Sequence, residues 1–139
     1  MPPEAAPWWL RTAIGDLAAA RALLAVTAVA PRQAAYLAQQ AAEKALKATI
    51  ALQGDEPPLT HDLPFLVQRS PDDAALRRVL VDIVALSGAH SVARYPQLDD
   101  PPYDLEEAEQ LVADASRLVI AVQAYFDDLG LGGIGLAPV

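Results

Sequence analysis

The sequence predicts an all-α protein, an up-and-down bundle of four or five helices, and three observations carry that expectation. Alanine fills roughly a fifth of the chain and is the strongest helix former. Apolar residues recur at three- and four-residue intervals through four long stretches, the period of one face of a helix. Prolines and glycines fall mostly in short clusters between those stretches, and no run of alternating residues is convincing as a strand.

The first helix is expected from about Trp8 to Thr27, where Leu10, Ile14, Leu17 and Leu24 mark one face. A second runs over Pro31 to Leu52, with an apolar stripe of Leu37, Ala41, Ala45, Ala48 and Leu52. Pro31 suits a first turn because its missing N–H is not needed there, and Gly54 stops the helix. Gly54-Asp-Glu-Pro-Pro58 is a loop, since its prolines remove donors and push the preceding residues toward extended backbone. Asp62 then caps a short helix that carries Pro64 in its first turn, places Phe65 and Leu66 on the core and ends near Gln68.

Ser70-Pro-Asp-Asp73 reads as N-cap, first-turn proline and acidic N3 of a further helix. That helix passes through Leu76, Leu80, Ile83 and Leu86 to about Arg94, where Pro96 terminates it. After a turn-rich loop at Asp99-Asp-Pro-Pro102, Asp104 with Glu107 three residues on opens the last helix in the manner of a capping box. Its face is Leu111, Ala115, Leu118, Val122, Tyr125 and Leu129. Four long helices and a short one joined by short connections make an up-and-down bundle. The 139 residues form one domain, with a core over about 8–129 and flexible ends at 1–7 and 130–139.

Composition excludes several chemistries. There is no cysteine, hence no disulfide framework, thiolate metal site or Cys nucleophile. The start lacks the basic and apolar regions of a signal peptide, and no apolar run reaches the roughly 18 residues of a membrane span, so a cytoplasmic protein without a membrane partner is expected. Ten basic against eighteen acidic residues give a net charge of −8, which repels nucleic acid overall. Any anion must be held by a local cluster.

Gly130-Leu-Gly-Gly-Ile-Gly135 matches the dinucleotide fingerprint literally, but it follows a helix instead of a strand and only four residues come after it. It reads as tail. His61 and His90 lie in different elements, neither with a partner at the spacing of a helical zinc site, and no metal or cofactor is expected. Glu106, Glu107 and Glu109 beside Asp104 complement a helix N-terminus. No Gly-x-Ser-x-Gly nucleophile motif is present.

Tyr36, Gln40, Glu43 and Lys47 fall at intervals of four, three and four and form one polar stripe on the second helix, with Lys44 beside it. Two readings stand, a solvated face with ordinary i, i+4 pairs and a binding face. Lys44 and Lys47 are the chain's two lysines against eight arginines, as if a compact ammonium were required at these places. In Thr60-His-Asp-Leu63, capping explains Thr60 or Asp62 but not His61, which needs either a buried hydrogen bond or a binding role. His90-Ser-Val-Ala-Arg94-Tyr-Pro96 puts imidazole and guanidinium four residues apart. Arg94 suits a helix C-terminus, and beside Tyr95 it also suits a stacking or phosphate-clamping pair.

Together and in this order, Tyr36-Leu-Ala-Gln-Gln-Ala-Ala-Glu-Lys-Ala-Leu-Lys47, Thr60-His-Asp-Leu63 and Ala93-Arg-Tyr-Pro96 resemble the HEPN family (higher eukaryotes and prokaryotes nucleotide-binding) over about residues 8–129. The resemblance implies a four- or five-helix bundle that dimerises. Such proteins occur with small nucleotidyltransferase-fold partners and in toxin–antitoxin or defence modules. Many members are metal-independent ribonucleases in which an Arg followed by four to six residues and a His promotes attack of a ribose 2′-hydroxyl on its own phosphate. Here no Arg precedes either histidine at that distance; only the reverse order, His90 then Arg94, occurs.

The leading expectation is therefore a homodimeric binding module without nuclease activity. Lys44, Lys47, His61 and Arg94 form a basic pocket for a nucleotide or RNA phosphate, Tyr36 and Tyr95 stack, and Gln40, Glu43 and Asp62 complete the site. A ribonuclease using His90 as base and Arg94 as stabiliser is the alternative. The third reading makes Glu43, Lys47 and Arg94 a buried ionic network that holds the helices in register.

Overall fold

A computed structural model describes residues 5–26, 31–80 and 104–131. Among them lie five helices, α1 (Ala5–Leu24), α2 (Pro31–Leu52), α3 (Leu63–Arg69), α4 (Ala74–Leu80) and α5 (Leu105–Asp128), and no strand. The all-α bundle expected from periodicity is the fold observed.

α1 starts three residues before Trp8, because Ala5 and Ala6 favour helix and Pro7 sits in the first turn, where its missing donor costs nothing. Its buried face is Ala6, Leu10, Ala13, Leu17 and Ala20, a stripe that the leucines mark and the alanines complete. α2 has the expected bounds and is the central helix: 15 of its 22 residues are buried, against α1, α5 and α3. A helix so placed keeps little solvated surface, so the polar side chains of Gln39, Gln40, Glu43, Lys47 and Thr49 go inside with the rest. Because α1 and α2 both present alanine at the core, their backbones can approach closely. They run antiparallel, with Trp9 beside Lys47 and Asp16 beside Lys44.

Gly54 ends α2 as expected, and the geometry gives the reason. At φ +89° it turns the chain so that its N–H donates to Ala51 O and that of Asp55 to Ile50 O, satisfying carbonyls the helix leaves open. Gly130 does the same for α5 at φ +79°, with its own N–H on Asp127 O and that of Leu131 on Phe126 O. The first glycine of the apparent dinucleotide fingerprint is thus a helix cap.

Asp62 caps α3 as expected, its Oδ1 accepting from Phe65 N at 3.3 Å. Phe65, however, does not reach the core: it is 36% exposed, with the Arg69 guanidinium over its ring, while Leu63 pairs with Leu66 inside. The three-residue step from Leu63 to Leu66 sets the buried face, and Phe65 points off it.

The expected cap of α4 is also corrected. Ser70 closes α3, its N–H and hydroxyl both donating to Val67 O, and Asp73 caps α4 by accepting from Leu76 N at 3.0 Å. Pro71 forces Ser70 into extended backbone (ψ 158°), so the new helix must start after it. Asp73→Ala is therefore expected to lower stability by about 1 kcal/mol and Ser70→Ala by roughly half that in urea unfolding. The reverse order would restore Ser70 as the cap. The expected continuation through Ile83 and Leu86 to Arg94, and the loop at Asp99–Pro102, lie outside the described residues.

α5 is capped by Asp104, which accepts from Glu106 N at 2.7 Å. Its buried arc holds Leu111, Ala115, Leu118 and Val122 as expected but is rotated toward Val112, Val119 and Phe126. Tyr125 is consequently only part-buried, and Leu129, past the end of the helix, is 54% exposed. Contact with α1, α2 and α4 together makes the arc wider than a single stripe. On the outside, Arg21 of α1 donates to the Ser116 hydroxyl of α5. Among the described residues no helix is long and apolar enough to cross a membrane.

Candidate functional site

Glu43 is the centre of the cluster. It projects from the middle of α2, and its two carboxylate oxygens face different partners. Oε2 accepts from Lys47 Nζ at 3.3 Å, one turn along the same helix; Oε1 lies 2.6 Å from Nδ1 of His61, on the loop before α3. The Glu43 and Lys47 side chains are 4% and 6% exposed, that of His61 39%. A carboxylate held inside thus carries an imidazole whose outer part reaches solvent. Nδ1 on the carboxylate fixes the orientation of the ring, as a neighbouring acid does in many histidine sites.

His61 owes its position to local turns. The Thr60 hydroxyl accepts from Asp62 N at 3.1 Å, and Asp62 caps α3, so the backbone is bound on both sides of the histidine. Asp62 faces the α3 N-terminus. Lys47 has a second neighbour, the Trp9 ring of α1, with Nζ 5.4 Å from its centroid, within cation–π range. Lys44 turns instead to Asp16 of α1 at 2.6 Å, both side chains about one-fifth exposed. Each lysine therefore pairs with a carboxylate at or near the α1–α2 seam, where a compact ammonium fits more readily than a planar guanidinium.

Of the remaining expected residues, Gln40 is buried and donates to Gln39 Oε1 at 3.0 Å, and Tyr36 is part-buried further up α2. The stripe of Tyr36, Gln40, Glu43 and Lys47 is therefore an interior feature over its last three residues, not a solvated face. His90, Arg94 and Tyr95 lie outside the described residues. The structure brings Lys47 and His61 together through Glu43 and directs Lys44 elsewhere.

Two residues escaped the sequence reading, Trp9 and Asp16. A signal for the first was present: in an antiparallel pair joined by a short connection, reflecting Lys47 across the middle of that connection lands on the Trp8–Trp9 pair. Among the described residues no three His, Asp or Glu side chains converge as a metal ion would need.

Fold and cluster define a helical-bundle domain whose central helix carries a buried acid–ammonium pair under a loop histidine. The family model of the HEPN domain matches residues 6–125, and the chain belongs to that family. It is similar to the crystal structure of TT1696 from Thermus thermophilus, with 26% identity and a TM-score of 0.71 over 86% of this chain and 96% of that one. The fold is also that of ST0689, an archaeal HEPN homologue, at 24% identity and a TM-score of 0.64 over the same shares. No curated protein matches the chain significantly.

Proposed function

We propose that this HEPN domain is a nucleotide- or RNA-phosphate-binding module in which His61 meets the phosphate. The observation that carries the reading is the half-exposed imidazole seated at 2.6 Å on a carboxylate that is itself almost wholly buried. Glu43 seats the ring at Nδ1 and its outer part reaches solvent, the side from which a phosphate would approach. The surrounding charge of −8 makes such a local donor necessary for any anion. Lys47 supports the arrangement from inside by holding the second oxygen of Glu43.

The module would act as a homodimer beside a nucleotidyltransferase-fold protein, in a toxin–antitoxin or defence setting, as the family resemblance suggests. Arg94 and Tyr95 belong to the proposal on sequence grounds alone, as a guanidinium and an adjacent stacking ring. The absence from the sequence of an Arg followed by four to six residues and a histidine favours binding over cleavage.

Calorimetry with ATP, other nucleotides and short RNA tests the reading. Binding by the wild type, weakened about tenfold or more by His61→Ala, is the expected result, since a hydrogen bond to a charged group contributes about 1.5–3 kcal/mol. Absence of any binding, or equal binding by the variant, would refute it. A second reading is favoured by the burial of Glu43 and Lys47, namely that this pair holds α2 and the His61 loop in register without a ligand. In that case His61→Ala lowers the unfolding midpoint and no nucleotide or RNA binds.

A further inference from the structure

Trp8 and Trp9 are the only tryptophans of the chain, and α1 treats them differently. Consecutive helix positions lie about 100° apart, so a helix edge buries one and leaves its neighbour outside. Trp9 packs against the core and under the Lys47 ammonium, which accounts for it. Trp8 is 53% exposed, and core packing does not account for so large an aromatic there. It is nonetheless held: the two rings meet edge to face with centroids 4.9 Å apart and planes at 82°.

The held indole belongs to a continuous series of contacts that ends at the proposed phosphate group. Trp8 touches Trp9, Trp9 faces Lys47, Lys47 binds Glu43, and Glu43 carries His61. One end of the series is an exposed apolar ring and the other a half-exposed imidazole. A nucleoside phosphate has the same polarity, a flat π-surface at one end and an anion at the other.

We infer that Trp8 is a stacking platform for a nucleobase, so that the ligand of the His61 site is a nucleoside phosphate and not a bare phosphate anion. This rests on the binding function proposed above. A rigid indole with few rotatable bonds loses little entropy on stacking, and every base offers it a face. Trp9 and Lys47 position Trp8 without touching the ligand.

The test uses the full chain and three probes: ATP and a single-stranded RNA hexamer, which carry bases, and tripolyphosphate, which does not. With both tryptophans in the proposed site, intrinsic fluorescence reports on it alone, and calorimetry supplies the affinities. Expected is quenching by a base-bearing probe that binds about tenfold more tightly than tripolyphosphate, a preference lost in Trp8→Ala and largely kept in Trp8→Phe. Circular dichroism confirms that both variants fold. Tripolyphosphate binding as tightly as the base-bearing probes, or a preference unchanged in Trp8→Ala, overturns the stacking role and leaves phosphate binding standing. Failure of all three probes to bind overturns the binding function and the stacking role with it.

Discussion

Glu43→Ala is expected to destabilise the protein by about 3–5 kcal/mol, a fall of roughly 10 °C or more in the unfolding midpoint. The change removes the acceptor for two side chains at once, and the consequence differs for each. His61 is half-exposed and can rehydrate, whereas Lys47 is 6% exposed and, among the described residues, keeps its charge inside with the Trp9 ring as its remaining polar or π partner. An uncompensated buried ammonium, more than the lost hydrogen bonds, sets the size of the effect. The companion variant separates burial of charge from loss of shape: Glu43→Leu with Lys47→Met replaces the pair by apolar groups of similar length and should recover most of the stability. If the double variant is as unstable as Glu43→Ala, the cost lies in packing and the electrostatic account fails. Because the double variant also removes the support of His61, it should bind nucleotide no better than His61→Ala even though it is folded.

Phe126→Ala is expected to cost about 3–5 kcal/mol. Phe126 is the largest of the fully buried side chains among the described residues and lies in the last turn of α5, where its carbonyl also accepts from Leu131 N beyond the glycine turn. Truncation opens a cavity between that turn and the rest of the core, and the Gly130 turn that anchors the chain end limits its collapse. Tyr125→Ala is the comparison. Periodicity alone would place Tyr125 on the core face, but it is only part-buried and should lose less than half as much on denaturant unfolding. Equal losses would mean that the arc is centred where the sequence stripe put it.

The two effects show what periodicity can and cannot place. It locates α2 to the residue because Pro31 and Gly54 punctuate it with known backbone chemistry. It misses the Ser70–Asp73 boundary because two successive residues able to cap are separated by a proline that serves either as first-turn residue or as linker. It misses the rotation of the α5 arc because a stripe drawn from every third or fourth residue assumes one packing partner, and among the described residues α5 packs against α1, α2 and α4. At the candidate site, the polar stripe and the Thr60–Leu63 segment were legible as motifs, with a solvated face and a binding face both open; Trp9 was reachable only by reflecting Lys47 across the α1–α2 connection, and Asp16 carried no mark that set it apart.

By itself the chain's order of residues determined the helical class, the ends of α2, the Asp62 and Asp104 caps and the family. These follow from interactions within a few positions along the backbone, where spacing is geometry. Only the tertiary structure decided that Glu43 joins Lys47 to His61, that Lys44 goes to Asp16, and that an indole from α1 covers the Lys47 ammonium. Those partners are 18 to 38 residues apart except for the helical pair, and which of them meet depends on how alanine faces let α1 settle against α2, a packing distance that no local pattern encodes.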